Sequence, residues 1–272
     1  MKSLRELYRI GQGPSSSHTM GPRFAAERFH ADVPAAARIR VTLYGSLAAT
    51  GAGHLTDLAV TAPFHPVPVE IVWQPDRQLP RHPNGLKFEA LDSAGQVVAT
   101  RIVYSIGGGA LLDEEGKPDG GADVYPFASM DEVLAQTDRE NQLIWQLVEG
   151  CESPSIWPVL ADIWRAMQDA IARGLNAEGT LPGALRVPRK ASAYHARAQT
   201  LTGYFGQTAL LFAYALATSE ENAAGGTIVT APTCGACGVL PAVLRFLQQQ
   251  SQLPDEKIHH ALATAGLIGN IV

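Results

Sequence analysis

The spacing of apolar residues changes near residue 127, and this change limits the folds open to the chain. Before it, short segments rich in β-branched and aromatic residues alternate with Gly and Pro clusters, the pattern of strands joined by turns. After it, apolar residues recur at helical spacing almost to the last residue. The sequence therefore predicts an α+β protein, with an N-terminal α/β sandwich-like domain at 1–140 and a mostly α-helical domain at 150–272.

The same patterns predict the individual elements. Strands are expected at 38–44, 67–73, 86–91 and 97–105, with a short β-branched run at 227–230. Helices are expected at 19–29, 47–53, 130–136, 140–150, 156–174, 191–218, 238–250 and from 256 onward.

Charge is spread unevenly along the chain. Residues 1–140 hold 13 Lys or Arg and 17 Asp or Glu, whereas residues 201–272 hold six charged residues in all. So uncharged a stretch is expected to be buried in its own domain or against a partner. The apolar segment from Ile258 also runs to Val272 without a polar tail. We therefore expect a truncated chain or one half of a split protein, with apolar surface exposed in the helical half.

The overall charge argues against several classes of protein. A net charge of −5 offers no basic patch for nucleic acid or for an anionic membrane. Three cysteines are too few for a disulfide scaffold. We expect no signal peptide, because residues 1–13 lack a continuous apolar stretch, and the apolar run at 201–218 is broken by Gly203 and Gly206. These features are typical of a cytoplasmic protein.

The segment 13–19, with the sequence GPSSSHT, is the sharpest local motif. It places three hydroxyls, the imidazole of His18 and the hydroxyl of Thr19 directly before a predicted helix. Amide N–H groups at a helix start, together with Ser15, Ser16 and Ser17, would form a cradle for a carboxylate or phosphate. The alternative is a simple helix N-cap with additional serines.

A second motif, GAGHLTD at 51–57, carries His54 in a glycine-rich loop. An imidazole two residues before Thr56 and three before Asp57 suits general acid–base chemistry. The alternative is a surface turn in which Asp57 caps the next helix.

The third motif contains Cys234 and Cys237, which lie between a short β-branched run and a helix. Such a pair could bind a metal or do redox chemistry, because a thiolate at a helix N-terminus has a lowered pKa. With Cys151 the thiols number three, so a zinc site would still need a histidine. The alternative is a pair of small buried side chains in a packing loop.

Several motifs follow one another along nearly the whole chain: IGQGPSSSHT at 10–19, LYGSLA at 43–48, GH and TD at 53–57, YSIGGG at 104–109, LPG at 181–183, EENAAGG at 220–226 and TAPT at 230–233. In this order they resemble the single-chain, iron–sulfur-dependent L-serine dehydratases, also called L-serine ammonia-lyases. Several separate motifs in one order are far more specific than any single motif.

The resemblance implies an N-terminal β domain joined to a helical, catalytic α domain that holds a [4Fe–4S] cluster with one iron open to substrate. In the family the cluster cysteines lie beyond a helix similar to 261–269, in a segment that this sequence does not contain. Cys234 and Cys237 depart from the family pattern and are weak candidates for cluster ligands. We therefore expect residues 1–272 alone to lack activity until a complementing C-terminal segment is supplied.

The implied reaction converts L-serine to pyruvate and ammonia, with the open iron acting as Lewis acid on the hydroxyl and carboxylate. Removal of the Cα proton would fall to His54 or His18. Binding of the substrate would fall to hydroxyl and amide side chains, namely Ser15, Ser16, Ser17, Thr19, Thr56 and Asn222. A homodimer, or association with the complementing segment, is the expected assembly.

Three other readings compete with this one. A pyridoxal phosphate enzyme would need a Schiff-base lysine, and none of the five lysines lies in a convincing cofactor loop. A zinc or thiol protein would use Cys234 and Cys237 without acting on serine. A binding or interaction module would hold a small carboxylate without turning it over.

Overall fold

The computed structural model describes residues 1–271, and it divides into two compact units. One unit is Pro14–Asp119, and the other combines Met1–Gly13 with the chain from Gly120 onward. The strands are β1 Ile10–Gln12, β2 Arg38–Tyr44, β3 Val69–Gln74, β4 Gly85–Leu91, β5 Val97–Gly107, β6 Ala110–Asp113 and β7 Thr227–Val229. The helices are α1 Leu4–Leu7, α2 Gly21–Asp32, α3 Gly45–Thr50, α4 Thr56–Thr61, α5 Met130–Glu140, α6 Ile144–Cys151, α7 Ile156–Asn176, α8 Ala191–Thr200, α9 Gly203–Ala223, α10 Val239–Ser251 and α11 Asp255–Gly269.

The Pro14–Asp119 unit is a mixed five-stranded sheet with the order β3-β2-β4-β5-β6. β2 pairs in parallel with β3, and the remaining pairs are antiparallel. Helix α2 begins at Gly21 with Pro22 in its first turn, where a missing N–H costs little. Its Phe29 stacks on Phe88 of β4 with ring centroids 5.3 Å apart, so α2 packs its apolar face against the sheet.

A parallel pair of strands needs a crossover, and the β2–β3 crossover carries His54. It runs through α3, a 3₁₀ turn at Gly51–His54, α4 and a second 3₁₀ turn at Ala62–Phe64. Leu47, Val60 and Phe64 of this segment are fully buried in the sheet core. The His54 turn is therefore fixed on both sides by packed residues.

The other unit is built around α7. Leu160, Ile163, Trp164 and Met167 recur at helical spacing on α7 and are buried in the largest core of the molecule. This core also includes side chains of α6, α10 and α11.

The carboxylate of Glu152 holds the N-terminal residues in this unit. It accepts hydrogen bonds from the Leu4 N–H (2.7 Å), the Ser3 hydroxyl (2.8 Å) and the Tyr125 hydroxyl (2.9 Å). The strands β1 and β7 form a short antiparallel ribbon in the same unit, with Ile10 opposite Val229.

The α+β class and most predicted elements are confirmed, and β2 has the predicted bounds. The predicted helix at 191–218 is instead two helices, because the chain is extended at Leu201 and Thr202 and Gly203 adopts a φ of +61°. The units also have other bounds than the predicted 1–140 and 150–272. Residues 1–13 join the helical unit because β1 pairs with β7, and the boundary between the units falls at 119–120.

Apolar side chains are exposed on α9 and α10, as the sequence predicts. Tyr204 and Phe205 on α9 and Val239 on α10 are each exposed by two thirds or more. Within residues 1–271, no helix combines the length and apolar character that crossing a membrane requires.

Candidate active site

The residues Ser16–Met20 form a π-helical turn that runs directly into α2. The Ser15 hydroxyl caps this turn by accepting a hydrogen bond from the His18 N–H at 3.1 Å, and the Met20 N–H donates to the Ser15 carbonyl at 3.0 Å. Single π turns within helices often occur at functional sites. This one contains His18.

Both ring nitrogens of His18 lie within hydrogen-bonding distance of hydroxyl groups. Nδ1 lies 2.9 Å from Ser17 Oγ, and Nε2 lies 3.0 Å from Ser46 Oγ. Partial burial lowers the pKa of His18 below its usual value, and the neighbouring His54 lowers it further. His18 is therefore neutral at pH 7, with one ring nitrogen donating and the other accepting.

The imidazole of His54 lies beside that of His18, with ring centroids 4.8 Å apart. Its Nδ1 is 3.0 Å from the Thr50 carbonyl, which can only accept, so Nδ1 carries the hydrogen. In the neutral ring Nε2 then holds a lone pair, and no described residue hydrogen-bonds to it. The space beside Gly53 is open, since a Cβ there would meet no atom within 4 Å. This nitrogen is placed to accept a proton.

Two buried threonine hydroxyls link the His18 turn to the His54 loop, because each donates a hydrogen bond to the backbone of the other segment. Thr19 donates to the carbonyl of His54 at 2.6 Å, and Thr56 donates to the carbonyl of His18 at 2.5 Å. Thr19 is 2% exposed and Thr56 is fully buried. Both were expected to bind substrate, but their hydroxyl protons are already engaged and solvent cannot reach them. They are better suited to fixing the two imidazoles.

Ser16 and Ser17 have different side-chain roles in this turn. Ser16, which is 8% exposed, accepts a hydrogen bond from the Gly108 N–H at 3.2 Å, so its hydroxyl fixes the glycine turn after β5. The backbone N–H groups of Ser16 and Ser17 donate to no acceptor among the described residues. These two amides and the Ser17 hydroxyl can receive a carboxylate at the start of the helix.

Seven predicted site residues thus lie together in the Pro14–Asp119 unit: Ser15, Ser16, Ser17, His18, Thr19, His54 and Thr56. The arrangement offers amide donors for an anion and, on the loop that packs against this turn, a free imidazole nitrogen for proton transfer. Ser46 belongs to the same cluster but was not predicted as a site residue. The available signal was its position directly after β2, in the glycine–serine pair of the LYGSLA motif.

Asn222 lies in the other unit, near the end of α9. It packs so closely on Gly13 that a Cβ at residue 13 would lie 2.2 Å from Asn222 Oδ1. Glycine is therefore required at position 13 if this contact is to form. The substrate-binding role of Asn222 stays a prediction.

The cysteine pair differs from the reactive thiolate that the sequence suggested. Cys234 and Cys237 are each 1% exposed, and burial raises the pKa of both thiols to about 12. Cys151 packs against the helical core, and burial followed by the Glu152 carboxylate raises its pKa as well. Desolvation therefore outweighs any effect of the nearby helix start, and the pair matches the alternative of small packed side chains.

The ligand set of an iron–sulfur cluster is not found in these residues. A [4Fe–4S] cluster is usually held by cysteine thiolates, whereas the three thiols here favour the protonated form. Within residues 1–271, no three His, Cys, Asp or Glu side chains are grouped so that they could hold a metal ion. The described residues therefore do not fit a cluster.

Alkylation rates test the state of the thiols. With pKa values near 12 instead of 9.0, the thiolate fraction of Cys234 and Cys237 at pH 7.5 is about 1,000-fold smaller than in the unfolded chain. We expect iodoacetamide to label both at least that much more slowly in the native protein, as read by mass spectrometry. Rapid native labelling would contradict their burial.

The raised pKa values of Cys234 and Cys237 also affect the stability of the fold. They favour the native state below about pH 9, and this contribution to the free energy of unfolding is lost as the pH rises toward 12.

The capping role of Ser15 predicts a measurable loss of stability. Ser15→Ala removes the acceptor for the His18 N–H, so the free energy of unfolding should fall by about 1 kcal/mol. Ser93→Ala is the matched control, because Ser93 is an exposed serine of the same unit that lies outside this turn. Equal stability of the two variants in urea unfolding would contradict the cap.

Family models match both parts of the chain. The model described as serine dehydratase beta chain matches residues 3–70 and 62–116. The model described as serine dehydratase alpha chain matches residues 93–272. The two matches together cover the β-rich and the helical segments.

Individual relatives agree with these models. L-serine dehydratase 1 of Escherichia coli is 35% identical over an alignment that covers 99% of this chain and 71% of the relative. L-serine dehydratase of Haemophilus influenzae is 33% identical, with 100% of this chain and 72% of the relative covered. L-serine dehydratase of Streptomyces coelicolor is 35% identical, with coverages of 98% and 70%. The chain therefore belongs to the serine dehydratase family.

Proposed function

We propose that the chain is an L-serine ammonia-lyase, which converts L-serine to pyruvate and ammonia. The observation that carries the proposal is the free Nε2 of His54, held beside the neutral His18, whose π turn begins with the N–H groups of Ser16 and Ser17. Membership in the serine dehydratase family supports the same substrate and reaction.

The substrate carboxylate is proposed to bind at the start of the π turn. The N–H groups of Ser16 and Ser17 and the hydroxyl of Ser17 would donate to it, and the positive end of the helix dipole favours the negative charge. Ser15 takes part by capping the turn, and Ser16 by its free N–H and by the contact of its hydroxyl with Gly108. Bound in this way, the amino acid places its Cα toward the loop of His54.

Proton transfer begins the reaction. His54 Nε2 takes the Cα proton, and the electron pair left on Cα forms the Cα–Cβ double bond as the Cβ–O bond breaks. The departing hydroxide takes a proton back from the His54 imidazolium and leaves as water. The resulting enamine accepts a proton from solvent at Cβ and loses one from its nitrogen to become an imine, which water hydrolyses to pyruvate and ammonia. His18 stays neutral beside His54, so the charge that develops on His54 meets no second cation.

The proposed cofactor is a [4Fe–4S] cluster, suggested by membership in this family. Because Cys151, Cys234 and Cys237 do not fit its ligand set, we propose that other residues supply the ligands, either in a complementing C-terminal segment or in a partner chain. No step of the reaction above is assigned to the cluster.

The test combines anaerobic iron and sulfide analysis with L-serine turnover. It is run on this chain alone and on this chain supplied with a C-terminal segment that bears cysteines. We expect pyruvate in the second case and none in the first. Turnover with stoichiometric iron by this chain alone would overturn the cofactor proposal and make Cys234 and Cys237 the first ligands to examine. Bound zinc, or tight carboxylate binding without product in both cases, would overturn the lyase proposal.

A further inference from the structure

Helix α3 connects the two imidazoles of the site. Its Ser46 hydroxyl lies 3.0 Å from His18 Nε2, and its Thr50 carbonyl lies 3.0 Å from His54 Nδ1. The Thr50 hydroxyl donates to the Ser46 carbonyl at 2.9 Å, which joins the two contact points within one turn of helix. Both histidine rings are thus hydrogen-bonded to the same short element.

The position of Ser46 is fixed by the backbone around it. The Ser46 N–H donates to the Pro83 carbonyl at 3.1 Å, and the preceding Gly45 N–H donates to the Arg77 carbonyl at 2.9 Å. Gly45 has a φ of +49°, and a Cβ there would lie 2.6 Å from the Pro83 oxygen, so only glycine fits. Leu47 on the other side is fully buried. The Ser46 hydroxyl is therefore presented to His18 by a rigid support.

The two histidines differ in how many of their ring nitrogens are hydrogen-bonded, and this gives them different roles. Because Ser17 and Ser46 engage Nδ1 and Nε2 of His18, that ring has no nitrogen left to accept a proton from a substrate. His54 keeps a free Nε2, since its single ring contact uses Nδ1. Loss of the Ser46 hydroxyl would leave Nε2 of His18 without its partner, on a ring whose centroid lies 4.8 Å from that of His54, so that both imidazoles could compete for one proton.

We propose that Ser46 is a positioning residue of the active site, which occupies Nε2 of His18 and so leaves His54 as the proton acceptor. This inference rests on the proposed function for its catalytic consequence. The contact of Ser46 with the His18 ring can be tested separately, without measuring catalysis.

The test is Ser46→Ala with two readouts. Long-range ¹⁵N–¹H NMR of ring-labelled histidine reports the tautomer of each imidazole. We expect Ser46→Ala to change the His18 nitrogen shifts and leave the Nδ1–H tautomer of His54 unchanged. In the complemented, turnover-competent enzyme, kcat for L-serine should fall at least about tenfold, as for other orienting groups, with little change in KM. Ser46→Thr, which retains a hydroxyl, should restore the nitrogen shifts and most of kcat.

A merely structural role predicts a different result. In that case Ser46→Ala would lower the melting temperature and leave the His18 nitrogen shifts as in the wild type, which would overturn the inference. Unchanged kcat in Ser46→Ala would overturn it as well. If the shifts change but the wild-type protein turns over no serine, the proposed function fails while the control of His18 by Ser46 holds.

Discussion

Replacing His54 by Asn is expected to lower L-serine turnover by about 10²–10⁴-fold, the range for loss of a general base. The Asn side-chain amide can take the place of Nδ1–H and still donate to the Thr50 carbonyl, which Nδ1 contacts at 3.0 Å in the native loop. The substitution therefore removes Nε2 while keeping the local fold. The iron content of the loaded enzyme and the melting temperature should stay near the wild-type values.

Exchange of the Cα proton of serine in D₂O isolates the step assigned to His54. The wild-type enzyme should incorporate deuterium at Cα of unreacted serine, and His54→Asn should abolish that incorporation. His65→Asn is the matched control, because His65 is an exposed histidine of the same unit, outside the site cluster. Undiminished exchange in His54→Asn would remove His54 from the role of base.

His18→Ala is expected to lower turnover by about 100-fold, as for an orienting group beside the base. The variant loses the ring that lies against His54 and the contacts of that ring with Ser17 and Ser46. His18 is half-buried, and each lost hydrogen bond is worth about 1 kcal/mol. The free energy of unfolding at pH 7 should therefore fall by no more than about 2 kcal/mol, while the chain stays folded.

The pH dependence of stability gives a second readout for His18. Its folded pKa lies below the unfolded value of 6.5, so the native state favours the neutral ring. That contribution is present above about pH 6.5 and is lost as the pH falls through the lowered pKa. The wild-type protein should lose stability in this window more steeply than His18→Ala. Parallel curves for the two proteins would contradict a buried, neutral His18, and normal turnover by His18→Ala would exclude it from the site.

The fold follows from sequence wherever an element carries its own periodic signal. β2 and α7 each bury their own regularly spaced set of apolar side chains. The bounds of each element were predicted within two residues. β1 and β7 were not predicted as a pair, because each is three residues long and Ile10 meets Val229 from the far end of the chain. The same long-range pairing assigns residues 1–13 to the helical unit, which no local pattern could indicate.

At the candidate site, the sequence could predict which residues take part but not the role of each. The motifs identified His18 and His54, since an imidazole next to glycine or serine is informative by itself. They could not reveal that Thr19 and Thr56 hydrogen-bond to each other's loops, because a hydroxyl has the same sequence signal whether it binds substrate or backbone. The Cys234–Cys237 pair was ambiguous for a related reason. Burial decides the pKa of a thiol, and burial depends on the packed loop.

The most direct measurement is of the products formed from L-serine by this chain under anaerobic conditions, with iron, sulfide and a cysteine-bearing C-terminal segment supplied. We expect pyruvate and ammonia in equal amounts from the wild-type protein, and neither product above background from His54→Asn with the same iron content. A folded, iron-loaded wild-type protein that binds L-serine and forms no pyruvate would contradict the proposed lyase activity.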